Sequence, residues 1–330
     1  MPSVHVVTHV VTTAAGARSI GDMKRRGRLP LAVYPHAPGR SGLMADQVAV
    51  LWRSGGPGSE NGRSWLRACL DAYPGLAWIH SDSMGVDDLP LAELAARRIV
   101  LTNAAGAYAR PIAEWVTLGV LMASKRLVDF LGRCAHGIWD TSIVPRDLVG
   151  RRVLLLGLGS IGMEVARLLE PLGLDVVAVT RSPRAQTVAG VTAVVHDGSW
   201  REMLADTDFL VCTLPLTDRT AGLIGQRELA QLPSHAWIIS ISRGPVVDQD
   251  ALIALLDAGR IAGAVLDGFS REPLPATDPL WQRPNVVVLP HHTWCSPNSR
   301  SRLEILFARQ IRLWLTGERL LNVVDCRRGY

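Results

Sequence analysis

Short apolar runs alternate with stretches of helical spacing between about residues 150 and 290: VLLLG, VVAV, AVV, FLVCT, AWIISIS, AGAVLD and VVVL. Runs that are apolar at every position, rather than at every second one, read as strands buried on both faces, as in a parallel sheet covered by helices. A weaker α/β pattern precedes them, with VHVVTHVV, QVAVLW, LAWIH and IVLTN as candidate strands and SWLRACLDAY and LPLAELAAR as candidate helices. Between the two regions, RPIAEWVTLGVLMASKRLVDFLGR keeps one helical period throughout, with Pro111 near its start, where a missing N–H costs little. After Pro290 one more amphipathic helix, SRSRLEILFARQIRLWL, is ended by Gly317. The pattern predicts an α/β protein with a doubly wound parallel sheet over 105–291 and a smaller, discontinuous α/β domain from 1–104 and 292–330.

Composition fits this picture. A chain of 330 residues, 48% hydrophobic and 20% charged, is of globular type and long enough for two domains. It has no apolar run of membrane-spanning length, and its N-terminus lacks the basic start and apolar centre of a secretory signal, so a cytoplasmic protein is expected. The five cysteines, Cys69, Cys134, Cys212, Cys295 and Cys326, are scattered, which predicts reduced thiols and no structural metal. The net charge of +5 rests on arginines spread along the chain, and no nucleic-acid patch follows from it.

One turn carries cofactor chemistry. Gly157, Leu158, Gly159, Ser160, Ile161 and Gly162 lie directly after the strand RRVLLL and open a helical stretch. The first glycine permits the tight turn, the second lets backbone approach a pyrophosphate, and the third lets helix and strand pack closely, which makes the larger sheet Rossmann-type. An NAD-binding unit places a carboxylate at the end of its second strand to accept from the ribose hydroxyls. Here that strand ends in Thr180, Arg181, Ser182, Pro183 and Arg184, and two guanidinium groups with two hydroxyls suit a 2′-phosphate. NADP(H) is therefore the expected cofactor, with NAD(H) possible; the competing reading makes Arg181 and Arg184 solvated loop charges.

Ligands of an open parallel sheet bind outside the carboxyl ends of its strands. Leu214 and Pro215 follow one strand there, with Thr220 in the next loop, and Ile241, Ser242 and Arg243 follow another. Asp267 ends a third with Glu272 just beyond, and His291 follows the last. Arginine can hold the carboxylate of a 2-oxo acid and polarise its carbonyl, and histidine can protonate the oxygen as it becomes an alkoxide. A carboxylate behind the histidine would fix its tautomer, and Glu272 is the candidate.

The stretch SISRGPVVDQDALIALLDAGRIAGAVLDGFSREPLPATDPLWQRPNVVVLPHH resembles the signature region of the D-isomer-specific 2-hydroxyacid dehydrogenases, nearest to the glyoxylate/hydroxypyruvate reductase branch. The similarity extends through HSDSMGVDDL, TNAAGAYARPIAEW, GLGSIG and NVVDCRRGY. The resemblance implies a flavodoxin-like smaller domain and a homodimer formed through the cofactor domains, with the active site in the interdomain cleft. It gives substrate binding to Arg243, acid/base catalysis to His291 with Glu272 as its partner, and the nicotinamide carboxamide to Asp267. It gives the substrate carboxylate to the backbone amides of Met84 and Gly85. His292, beside His291, is the alternative acid/base. Gly268 replaces a valine common in the family, a change expected to alter packing only. Met84 is bulkier than the family's usual residue there and would narrow the pocket. Trp52 and Trp294 are candidate pocket walls, with a core position as the alternative. Arg53 could take a second acidic group of the substrate, although a surface role is favoured.

These readings lead to reduction of a small 2-oxo acid. A specialised biosynthetic reductase with a larger or more acidic substrate is the first alternative, with Arg53, Met84 and Trp294 as its hints. Phosphite oxidation uses a similar Arg/Glu/His set, whereas formate enzymes carry glutamine where Glu272 stands. Corepressors of the C-terminal-binding type are a rival from another class; they carry long disordered extensions, which are not expected here, where a short tail to Tyr330 follows the last helix.

Overall fold

The computed structural model describes residues 8–12, 17–18, 20, 31–35, 48–53, 62–181, 188–196 and 198–330. The chain divides into two compact units, one of Met1–Ala107 with Pro297–Tyr330 and one of Tyr108–Ser296. The second unit runs past His291 because Asp267 accepts hydrogen bonds from the backbone N–H groups of His292 and Thr293, tying that turn to the larger sheet.

The first unit holds a parallel five-stranded sheet of β1 (Thr8–Thr12), β2 (Leu31–Pro35), β3 (Val48–Arg53), β4 (Trp78–Ser81) and β5 (Val100–Thr102), in the order β2-β1-β3-β4-β5. That order is flavodoxin-like. Helices α1 (Gly62–Ala72) and α2 (Leu91–Ala96) supply Leu66, Leu70 and Leu94 to one face, packed on Leu51, Ile79 and Leu101. The other face, carrying Val50, Trp52 and Trp78, is covered by Phe307 and Ile311 of the late helix Ser299–Thr316. Burying Leu51 on one side and Trp52 on the other is the two-residue alternation of a strand covered on both faces. The indole of Trp52 stacks on Phe307 with ring centroids 4.3 Å apart, a contact worth about 0.5–1.5 kcal/mol beyond its buried area.

In the second unit, α3 (Ala109–Ser124) and α4 (Leu127–Ala135) precede the sheet. Its strands are β6 (Arg152–Leu156), β7 (Asp175–Thr180), β8 (Ala193–His196), β9 (Phe209–Cys212), β10 (Trp237–Ser240), β11 (Gly263–Leu266) and β12 (Val286–Val288). All pair in parallel in the order β12-β11-β10-β9-β6-β7-β8, a Rossmann-type doubly wound sheet whose order reverses between β6 and β9. Helix α5 (Ser160–Leu169) joins β6 to β7, and α6 (Gln226–Leu229) and α7 (Gln249–Asp257) follow β9 and β10. Val153 and Leu155 face α3 and α5, whereas Leu154 and Leu156 face Trp200, Leu229 and Leu252. Gly119 lets α3 come down on the sheet, because a Cβ there would already touch Ile239 and Val265 at 3.4 Å.

Two local features differ from the sequence pattern. Strand β2, LAVYP, lies outside the expected strands. The helical period over 110–133 continues across a break: Arg126 adopts φ 52° between α3 and α4, while Ser124 Oγ and Lys125 Nζ both donate to the carbonyl of Arg146. No glycine or proline marks the break, and long-range contacts hold it. The last helix, α8 (Ser299–Thr316), ends as expected at Gly317, which takes φ 71°.

Candidate active site

The glycine turn joins β6 to α5. Gly157 sits at φ 104°, where a Cβ would lie 2.8 Å from Thr213 Oγ1, and a Cβ on Gly162 would lie 2.1 Å from the carbonyl oxygen of Gly157. These two glycines are required by the chain's own backbone. Gly159 differs, since among the described residues a Cβ there meets nothing within 4 Å, so the room left by its missing side chain opens outward. Helix α5 begins at Ser160 with no side-chain cap and no acidic residue in its first turn, leaving its N–H groups and partial positive charge for an anion. These features fit a dinucleotide pyrophosphate. At the tip of β7, Thr180 is half-buried and Arg181 exposed, with no carboxylate at either position. Ser182 and Arg184 lie outside the described residues.

Leu214 and Pro215 follow β9, and both are half-buried. The hydroxyl of Thr220 donates to the carbonyl of Pro215 and accepts from the N–H of Thr217, so it folds that loop. Ser242 is buried beyond β10, with its Oγ 3.1 Å from Cys212 Sγ, and Ile241 before it is half-buried. Burial pushes the Cys212 thiol up.

The segments after β10 and β11 run against one another, backbone to backbone. A Cβ on Gly244 would lie 1.9 Å from Phe269 C, and one on Gly268 would lie 2.3 Å from Ser242 O. Gly268 therefore does more than alter side-chain packing: it admits the main chain that carries Arg243. The close approach brings three side chains of the second unit together. His291 Nδ1 is 2.7 Å from Glu272 Oε2, and His291 Nε2 is 3.4 Å from Arg243 Nη1. Glu272 Oε1 accepts the backbone N–H of Phe269 at 3.0 Å. Burial alone would raise the Glu272 carboxyl, but the hydrogen bonds from His291 and Phe269 outweigh it and hold the group below its ordinary value. Glu272 precedes a cis Pro273.

His291 itself adopts φ 51°, in the left-handed region that non-glycine residues enter sparingly. The conformation is over-determined by its neighbours. The N–H of His291 donates to Leu289 O, and Trp294 Nε1 donates to His291 O at 2.9 Å. Asp267 is buried and accepts from His292 N–H at 2.8 Å and from the hydroxyl of Thr293. Burial raises the Asp267 carboxyl against these hydrogen bonds. Trp294 is half-buried, edge-on to both Tyr108 and His292, with its N–H committed to the histidine turn. His292 is exposed and, among the described residues, makes no carboxylate pair like that of His291. The sequence reading missed the roles of Thr293 and Trp294 in bracing the turn, although both stand within three residues of His291.

Four candidates lie in the first unit. Met84 and Gly85 follow β4 in a half-buried loop. Trp52 is not a pocket wall: it is fully buried against Phe307 with its Nε1 donating to Asp82. Arg53 is neither a surface charge nor open to a ligand, being 5% exposed and ion-paired with Asp88.

A glycine turn opening onto an uncapped helix, together with an Arg/Glu/His cluster beyond the carboxyl ends of a doubly wound sheet, defines a nicotinamide-dependent oxidoreductase. Residues 118–293 match the family described as D-isomer specific 2-hydroxyacid dehydrogenase, NAD binding domain. The chain belongs to that family, whose members act on a CH–OH carbon. It is 33% identical over 263 residues to a glyoxylate/hydroxypyruvate reductase B of Yersinia enterocolitica, covering 78% of this chain and 80% of that one. It is 31% identical to a glyoxylate reductase of Korarchaeum cryptofilum, covering 78% of each. A crystal structure of a D-isomer specific 2-hydroxyacid dehydrogenase from Xanthobacter autotrophicus, in complex with NADPH and MES, superposes with a TM-score of 0.84 at 30% identity, over 98% of this chain and 100% of that one.

Proposed function

We propose that the chain reduces a small 2-oxo acid of the glyoxylate or hydroxypyruvate kind to its 2-hydroxy acid, with NADPH preferred over NADH. The observation that carries this reading is the His291 ring held between Glu272 and Arg243. Glu272 accepts from Nδ1, so the nitrogen left to exchange a proton with substrate is Nε2, which faces the guanidinium. A substrate oxygen lodged between Arg243 and His291 would meet a cation that polarises it and a donor that protonates it. The bound cofactor supplies the hydride. Arg243 also holds the carboxylate, assisted by the backbone amides of Met84 and Gly85, and Asp267 orients the carboxamide of the nicotinamide. Such groups act by holding the reacting atoms in place and stabilising charge as it develops.

The exposed Arg181 and the absence of a carboxylate at the end of β7 support NADPH, as does the NADPH complex of the Xanthobacter relative. The names of the Yersinia and Korarchaeum relatives support a short 2-oxo acid. A larger, more acidic substrate loses two of its hints, since the Arg53 charge is answered by Asp88 and the Trp294 N–H by His291. We also infer a homodimer formed through the second unit. Its support is a run of exposed apolar side chains, Leu131, Ile138, Trp139, Val144 and Val149, of which Trp139 is 94% exposed.

Initial rates of NADPH and NADH oxidation against glyoxylate, hydroxypyruvate, pyruvate, phenylpyruvate, oxaloacetate and phosphonopyruvate test the reading. Turnover is expected on the short acids with NADPH favoured. Tight NADPH binding with no turnover on any acid would overturn it in favour of a cofactor-sensing role.

A further inference from the structure

The loop Asp82–Asp88, which carries Met84 and Gly85, is fastened to the first unit at both ends and in the middle. At its entrance, Asp82 N–H donates to Arg53 O at 3.1 Å and Asp82 Oδ1 accepts Trp52 Nε1 at 2.6 Å. In the middle, Ser83 O accepts Ala104 N–H at 3.1 Å, and Met84 O accepts Asn103 Nδ2 at 2.8 Å. At the exit, Asp88 pairs with Arg53, whose Nη1 also donates to Ser81 Oγ at 3.4 Å. One guanidinium thus spans the loop from the residue before it to its last. Among the described residues, neither the Met84 nor the Gly85 backbone N–H donates to a group of the chain.

We propose that Arg53 is a positioning residue for substrate: it sets the Met84 and Gly85 amides for the substrate carboxylate without touching the substrate itself. Three observations carry this. The Arg53 charge is buried and already answered by Asp88, so it offers nothing to a second anion. Its Nε and the Oγ of Ser83 are buried with no partner among the described residues, and buried unpaired polar atoms cost stability. Apolar side chains of similar volume would serve packing around Arg53 as well as a partly buried ion pair does, so what the pair adds is a fixed geometry for the loop it spans. The proposal rests on the reading that the two amides take the carboxylate, and the test separates the two.

The measurement is backbone hydrogen exchange at Met84 and Gly85, together with steady-state kinetics, on the wild-type protein and on Arg53→Gln and Arg53→Lys. With oxamate and NADPH bound the two amides are expected to be protected in the wild-type protein and to exchange faster in Arg53→Gln. KM is expected to rise about tenfold for glyoxylate and oxaloacetate alike, with NADPH affinity unchanged, as for a displaced but intact binding group. Arg53→Lys, which keeps a cation for Asp88, should recover part of the loss. If Arg53→Gln does not fold, Asp88→Asn releases the exit end of the loop and should give the same result. Wild-type exchange rates in a folded variant would overturn the proposal, as would a KM loss confined to the dicarboxylic acid, which would make Arg53 a substrate contact. If oxamate with NADPH fails to protect the two amides in the wild-type protein, the carboxylate reading fails, and faster exchange in Arg53→Gln of the Ala104 N–H, which donates to Ser83 O, would then show the loop fastening alone.

Discussion

His291 Nδ1 and Glu272 Oε2 are 2.7 Å apart, while the other oxygen of Glu272 is occupied by the N–H of Phe269. The carboxylate is therefore oriented before it orients the imidazole, and the other ring nitrogen faces Arg243 at 3.4 Å. If His291 is the acid/base group, replacing it by Gln is expected to lower turnover by about 10²–10⁴. Glu272→Gln puts an amide where a carboxylate accepts, so the ring loses its tautomer as well as its anchor, and a fall of about 10² or more is expected. His292→Gln should change turnover little. The check is kcat with saturating NADPH and glyoxylate; a His291 variant at the wild-type rate would move the role to another residue.

The glycines of the cofactor turn differ in what they protect. A Cβ on Gly162 collides with Gly157 O at 2.1 Å, so Gly162→Ala should cost the apo protein about 1–3 kcal/mol, read as a lower melting temperature. A Cβ on Gly159 meets nothing within 4 Å among the described residues, so Gly159→Ala should melt like the wild type yet, if the pyrophosphate lies there, bind NADPH roughly tenfold or more weakly. Melting curves without cofactor, set beside NADPH titrations, separate the two effects. Normal NADPH affinity in Gly159→Ala would show that the phosphates lie elsewhere.

Arg181 is exposed at the tip of β7. If it meets a 2′-phosphate, Arg181→Ala should raise the NADPH dissociation constant about tenfold or more and leave that for NADH unchanged, in line with the loss of a charged hydrogen bond. Equal losses with the two cofactors would remove it from the phosphate.

What could be read from the sequence follows a physical division. The inner strands of the second unit are apolar except at their ends, as burial on both faces demands, so the residues following them, Arg243, Asp267 and His291, could be placed on one edge before any coordinates. Strand β2 lies at the edge of its sheet, where the pattern is weakest. The break at Arg126 is held by contacts to Arg146, twenty residues away, and no local signal marks it. Arg53 read as a surface charge because burial of an arginine depends on its partner, and the pairing with Asp88 spans 35 positions. Gly268 read as a packing change because its constraint comes from the carbonyl of Ser242 on the neighbouring segment.

His80 gives the fold a pH dependence separate from catalysis. It is fully buried beside Phe307 and Trp78, with Nδ1 2.8 Å from Thr102 Oγ1, and burial pushes its pKa down to about 3. The unfolded chain binds a proton there near 6.5 and the folded chain does not, so between about pH 6.5 and 3 the unfolded state holds the extra proton. Stability from this group is therefore complete above 6.5 and falls as the pH drops, by about 1.4 kcal/mol per pH unit within the window. In His80→Gln, which cannot take up the proton, the dependence should flatten by that amount. Urea unfolding at pH 7.5, 6.0 and 5.0 compares the two proteins directly. Curves that stay parallel across this range would mean that His80 becomes protonated in the folded state, through an opening of the packing around it.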